Sequence, residues 1–157
     1  MKNKKILIID DEKMNIMTLA HFLKNEYDII VTTESKSAYE IAEKHLPDII
    51  LLDIIMPEIN GFDVLVKLKR SKITNNIPVI FITGLNNDED EEKGLSMGAA
   101  DYILKPFNKA IVKKRIETQL KLADCLNIIE KYETILGIKT STDYEHLPDF
   151  ILTETTH

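Results

Sequence analysis

The chain has 157 residues, 44% of them hydrophobic, which suits one domain with its own core plus an appendage. Its formal charge of -6 argues against a general nucleic-acid or anionic-membrane surface, and the single cysteine, Cys125, excludes an internal disulfide and a zinc site of several thiolates. The N-terminus is charged at once (Lys2, Lys4, Lys5) and its apolar run, Ile6 to Ile9, is too short for a signal peptide or membrane span, so a cytoplasmic protein is expected.

Taken in chain order, short β-branched runs alternate with longer amphipathic stretches. A strand is predicted over Lys5–Ile9, then a helix over Lys13–Asn25, where Ile16, Leu19, Ala20 and Leu23 recur at helical spacing. There follow a strand over Asp28–Thr32, a helix over Ser35–His45, a strand over Asp48–Leu52 and a helix over Phe62–Ser71. The series ends with a strand over Pro78–Ile82, a helix over Asn87–Met97, a strand over Asp101–Leu104 and a helix beginning near Asn108. Pro47, Pro57, Gly61, Gly84, Gly98 and Pro106 punctuate the gaps. Strand and helix alternating in this way predict an α/β fold, a doubly wound five-stranded parallel sheet covered on both faces.

The last helix is expected to run well past the domain. No Pro or Gly occurs from Asn108 until Gly137, which allows an unbroken helix of roughly 40 Å. Along it Leu122, Leu126, Ile129 and Leu136 form an apolar stripe, read as a seam for a second copy or for an output domain. Residues 1–122 hold 19 acids and 18 bases, whereas residues 123–157 hold 7 acids and 2 bases. The boundary is therefore put at 122, with a helical extension and an acidic Thr/Ser-rich tail or linker beyond it. Residues 123–157 are too few for a winged-helix or helix-turn-helix domain of the usual size, so the chain reads as a stand-alone unit or the front of a longer one, without direct nucleic-acid binding.

In an open parallel sheet, ligands bind outside the carboxyl ends of the strands. The residues at those ends here are Asp10 and Asp11 after the first strand, Asp53 after the third, Thr83 and Gly84 after the fourth, and Lys105 and Pro106 after the fifth. Carboxylates gathered together repel, and a hard divalent cation such as Mg²⁺ relieves that repulsion. Beside it an aspartate oxygen can attack phosphorus, with Lys105 supplying positive charge and Thr83 a hydrogen bond to a phosphoryl oxygen.

Four segments, "ILIIDDE", "DIILLDIIMPEINGF", "PVIFITG" and "GAADYILKPF", resemble the four motif blocks of bacterial response regulator receivers, in order and at the usual separations, over residues 4–122. The resemblance implies the flavodoxin-like receiver fold and a role in two-component signalling. It further implies that Asp53 accepts a phosphoryl group from a sensor histidine kinase, that Asp10, Asp11, Asp53 and the main-chain carbonyl of Ile55 hold Mg²⁺, and that Lys105 binds phosphate. Thr83 is then the switch hydroxyl, Tyr102 the aromatic switch position, the Lys105–Pro106 bond is cis, and Ile55 and Leu85 border the path of hydrolytic water. Such a chain is a phosphoacceptor that performs only its own phosphorylation and dephosphorylation.

Plainer roles stand beside these. Asp10 or Asp11 taken singly can serve as a helix cap, Thr83 as a turn hydroxyl, Lys105 as a surface lysine and Tyr102 as a half-buried sheet residue. Glu12 and the run Asp88–Glu92 read as first-turn acids favoured by the helix dipole. His21, His45, His146 and His157 have no metal-site spacing. Two other functions compete: a haloacid-dehalogenase-like phosphohydrolase, whose Asp nucleophile follows the first strand with a second Asp two residues on, and a receiver-like interaction module that never switches.

Overall fold

The computed structural model describes residues 2–84 and 88–137. Five strands, β1 (Lys5–Ile9), β2 (Asp28–Thr32), β3 (Ile49–Asp53), β4 (Val79–Thr83) and β5 (Asp101–Leu104), form one parallel sheet in the order β2-β1-β3-β4-β5. The helices are α1 (Lys13–Leu23), α2 (Ala38–His45, preceded by a 3-10 turn at Ser35–Ser37), α3 (Gly61–Arg70), α4 (Asp88–Ser96) and α5 (Lys109–Leu136). The doubly wound α/β architecture is the one expected.

Alternation along the strands explains the two layers. Ile6, Ile8, Ile49, Leu51, Ile80, Ile82 and Ile103 point to one face, where Ile16, Leu19 and Leu23 of α1 and Val112, Ile116 and Leu120 of α5 cover them. Leu7, Ile9, Ile50, Leu52 and Phe81 point to the other, against Ala38 and Ala42 of α2 and Leu65 and Leu68 of α3. Central strands buried on both faces must be apolar almost throughout, and β3 and β4 are so until their last residues, β1 from Ile6 to its end. An Ala at Leu51 would cost about 2–5 kcal/mol through the cavity it leaves.

The described residues divide into two units, one ending at Asp124 and the other beginning at Cys125. Within α5 the buried residues are Val112, Ile116 and Leu120. Farther along, Leu122, Leu126, Ile128, Ile129, Tyr132, Ile135 and Leu136 are exposed. No helix among the described residues is long and apolar enough to cross a membrane. His146, His157 and the predicted tail lie outside the described residues.

Boundaries moved in small, explicable ways. β3 and β4 each end one residue later than expected, because the backbones of Asp53 and Thr83 stay in the ladder, opposite Ile82 and Leu104. Their polar side chains made them read as loop. α3 begins at Gly61, capped by Asn60, whose side chain accepts from the Asp63 N–H at 3.0 Å.

Candidate functional site

Parallel register brings the carboxyl ends of β1, β3, β4 and β5 to one edge. Asp10 and Asp11 follow β1, Asp53 and Thr83 close β3 and β4, and Lys105 follows β5. Asp10, Asp53 and Thr83 are buried, Asp11 is not, and carboxylate oxygens of Asp10, Asp11 and Asp53 lie within 4.8 Å of one another. Lys105 Nζ is 3.2 Å from Asp53 Oδ2 and 3.4 Å from Asp10 Oδ2. Asp53 Oδ1 accepts from the Ile55 N–H at 3.3 Å.

The two carboxylate oxygens of Asp10 have different surroundings. Oδ1 accepts from the Glu12 N–H at 2.8 Å, fixing the turn into α1, while Oδ2 is buried without a hydrogen bond and faces Lys105. Glu12 itself sits at the N-cap of α1 and is not among the clustered carboxylates.

Electrostatics follow from this crowding. Burial first, and the charge of Asp10 second, push the Asp53 carboxyl up to about 6, against the opposing pull of Lys105. The Lys105 ammonium would be lowered by burial, but the Asp53 and Asp10 charges raise it above the ordinary lysine value. A carboxylate pair that Lys105 relieves only in part, a buried Oδ2 lacking a hydrogen bond and an all-oxygen donor set fit a hard divalent cation. Asp10, Asp11 and Asp53 are the side chains placed to hold it.

Tyr102 stands apart from the carboxylates. It is buried on the face shared with Phe81, its register partner on β4, and by the period of two Thr83 continues that face. Its ring packs on Phe81 with centroids 5.7 Å apart, and Phe81 in turn meets Phe62 edge-on at 5.3 Å. The Tyr102 hydroxyl donates to the Asp90 carbonyl of α4. Burial, with the nearby charges of Asp90 and Glu91, pushes this phenol up to about 12.

Two glycines bear on the site and had no place in the sequence reading of it. A Cβ on Gly61 would collide with the Asp53 carbonyl oxygen, so α3 starts hard against the end of β3. A Cβ on Gly94, inside α4, would lie 2.7 Å from the Tyr102 hydroxyl. A lone glycine within a helical stretch was the available signal for the second. Lys105–Pro106 is cis, as the resemblance implied. Ile55 is exposed, and Leu85 falls outside the described residues.

Comparison with known proteins decides the family: the pattern described as "Response regulator receiver domain" matches residues 6–117. The chain belongs to the response regulator receiver family. It is 41% identical over 116 residues to the "Probable cyclic di-GMP phosphodiesterase" of Vibrio cholerae, covering 74% of this chain and 26% of that protein. It is 33% identical over 123 residues to the alkaline phosphatase synthesis transcriptional regulatory protein PhoP of Bacillus subtilis, covering 78% of this chain and 50% of that one. The receiver thus spans about a quarter to a half of these curated relatives. Among solved structures, a response regulator from Desulfuromonas acetoxidans superposes with a TM-score of 0.70 at 32% identity, covering 76% of this chain and 98% of that one. Membership places the chain in two-component signalling and disfavours the haloacid-dehalogenase alternative, which the site also opposes, since Asp53 ends the third strand and not the first.

Proposed function

We propose that this receiver takes a phosphoryl group from a sensor histidine kinase onto Asp53, in a Mg²⁺-dependent step, and thereby changes the surface that a partner or output domain reads. The observation that carries the reading is the Lys105 ammonium standing 3.2 Å from the Asp53 carboxylate at a cluster of three acids. In the step, an Asp53 oxygen bonds to phosphorus as the bond from phosphorus to the kinase's histidine nitrogen breaks. Lys105 remains paired with the oxygens that gain charge, and Thr83 donates to one of them. Asp10, Asp11, Asp53 and the Ile55 carbonyl would hold Mg²⁺, which when bound supplies counter-charge to the carboxylates and the phosphoryl oxygens.

The phosphoryl group carries about -1.5 to -2 at neutral pH but replaces a carboxylate of -1, so added charge alone is a weak signal. New oxygen contacts to Thr83 and Lys105 are the stronger one. Thr83 and Tyr102 share a face of the sheet, which supports Tyr102 as the element that passes the change to α4.

The chain acts as a switch in the cytoplasm, performing only its own phosphorylation and dephosphorylation chemistry, and reads out through α5 to a second copy or an output domain. The test is intact mass with Mg²⁺ and acetyl phosphate: the wild type gains one phosphoryl group and Asp53→Ala gains none. Undiminished labelling of Asp53→Ala sinks the assignment.

A further inference from the structure

Helix α4 is a poor candidate for packing by side chains. Its sequence is DEDEEKGLS, and of its nine residues only Gly94 is buried. Leu95, its one large apolar residue, is 45% exposed. Among the described residues α4 meets the sheet where the bare Cα of Gly94 lies over Phe81 and Tyr102 and where the Tyr102 hydroxyl donates to the Asp90 carbonyl one turn earlier, and it meets α3 where Lys93 Nζ sits 4.3 Å above the Phe62 ring.

A glycine here runs against local preference. Within a helix it is worse than alanine, by an amount that corresponds to roughly a fivefold loss in helix population. Space accounts for its presence. A Cβ at position 94 would come within 2.7 Å of the Tyr102 hydroxyl and within 3.0 Å of two Phe81 ring carbons, so an alanine and the inward Tyr102 cannot share the slot as built. Phe81 is fully buried on the central strand β4, whereas Tyr102 lies on the edge strand β5 and is 6% exposed, so the tyrosine is the nearer of the two to an outward route.

We infer that Gly94 is a positioning residue of the switch: the missing side chain makes the slot that receives Tyr102, and the Tyr102 hydroxyl seated there holds α4 to the sheet through the Asp90 carbonyl. The inference rests on Tyr102 as the switch residue and names what sets its inward position. The switch then has two parts, a tyrosine on β5 and a gap on α4, and closing the gap undocks the helix.

Amide exchange followed by NMR on the full 157-residue chain tests it, with Gly94→Ala, Tyr102→Phe and the double variant, alongside fluorotyrosine labelling in which Tyr102→Phe identifies the Tyr102 signal. Helix propensity alone makes α4 better protected in Gly94→Ala; the slot makes it worse. The expected result is exchange over Asp88–Ser96 faster by roughly fivefold to tenfold in each single variant, the scale of one net hydrogen bond. The double variant is expected to be no worse than Gly94→Ala, since both act through one contact. The Tyr102 fluorine signal in Gly94→Ala should move toward that of a solvent-exposed tyrosine, which a simple packing defect in α4 would not produce. Unchanged or slower α4 exchange in Gly94→Ala overturns the inference. Should Gly94→Ala also loosen β1 and β3, Tyr102→Phe decides: it must loosen α4 alone, and an unaltered α4 there overturns the inference as well. Failure of wild-type labelling by acetyl phosphate would refute the phosphoacceptor reading separately, because the exchange experiment needs no phosphate.

Discussion

Lys105 Nζ lies 3.2 Å from Asp53 Oδ2, bridging the end of the fifth strand to the end of the third across the site edge. The positive charge is therefore in place before any phosphate arrives. Catalysis by positioning requires this, because a group that must first be recruited costs rate.

The acid pair should act through the cation. Asp11→Asn keeps the shape and removes one charge, so Mg²⁺ binding and acetyl phosphate labelling should weaken together, by roughly tenfold or more if the ligand is lost outright. Titration of Mg²⁺ and labelling at saturating Mg²⁺ measure the two. Labelling that persists unchanged in chelator would refute the coupling.

In the metal-free protein Asp53 makes stability depend on pH with a definite sign. Its carboxyl is raised from 3.8 to about 6 on folding, so its contribution is full below the unfolded value and is lost as pH rises through about 6. Above that, the folded chain carries an ionised carboxylate beside Asp10. Asp53→Asn should therefore melt higher than wild type at pH 8 in chelator, by on the order of 1–3 kcal/mol, and the gap should shrink toward pH 4. Calorimetry of both proteins across this range is the measurement; a variant that melts lower at pH 8 contradicts it.

Intrinsic loss of the phosphoryl group should be slow. Ile55 is apolar and 60% exposed two residues beyond Asp53, so it can shield phosphorus but cannot orient a water. Ile55→Asn combined with Leu85→Glu should accelerate decay severalfold on the scale of a gained water-orienting hydrogen bond, with the acceptor unchanged. A decay that stays the same or slows would show that shielding is the wrong cause.

Much of this was legible in the sequence because it is local. The β1 and β2 bounds follow from apolar runs and charged flanks, and Asp10, Asp53, Thr83 and Lys105 stand where the strands stop, a position that parallel register turns into a cluster. What escaped is contact geometry, both between elements and within turns. That Gly94 faces Tyr102 and that Asp10 meets Lys105 are contacts between elements, and that Ile55 and Glu12 lend their N–H groups to Asp53 and Asp10 is turn geometry; periodicity encodes neither. Conversely, Thr83 and Asp53 were put just outside their strands because side-chain polarity speaks for burial and not for backbone pairing.

The apolar residues of α5 supply the fourth prediction. Leu126 and Ile129 are more than half exposed and lie on one side of the helix, so the wild type should self-associate, more strongly with beryllofluoride bound. Leu126→Asp with Ile129→Asp should leave a monomer whose melting is little changed. Light scattering in both states checks it, and a wild type that is monomeric throughout rules out association through this stripe.

Position 61 illustrates how a map of tolerance differs from a map of reactivity. Gly61 has no side chain to donate, ligate or titrate, yet any side chain there would drive into the carbonyl of Asp53, and the Gly61 N–H donates to the Ile54 carbonyl at 2.8 Å. In a library of random variants scored for signalling, position 61 would fall among the dead positions with Asp53 itself. Its neighbour Asn60 would yield partial losses of the size of one helix cap. A residue chosen for what it lacks would thus mark the boundary of the site as sharply as the carboxylates mark its centre.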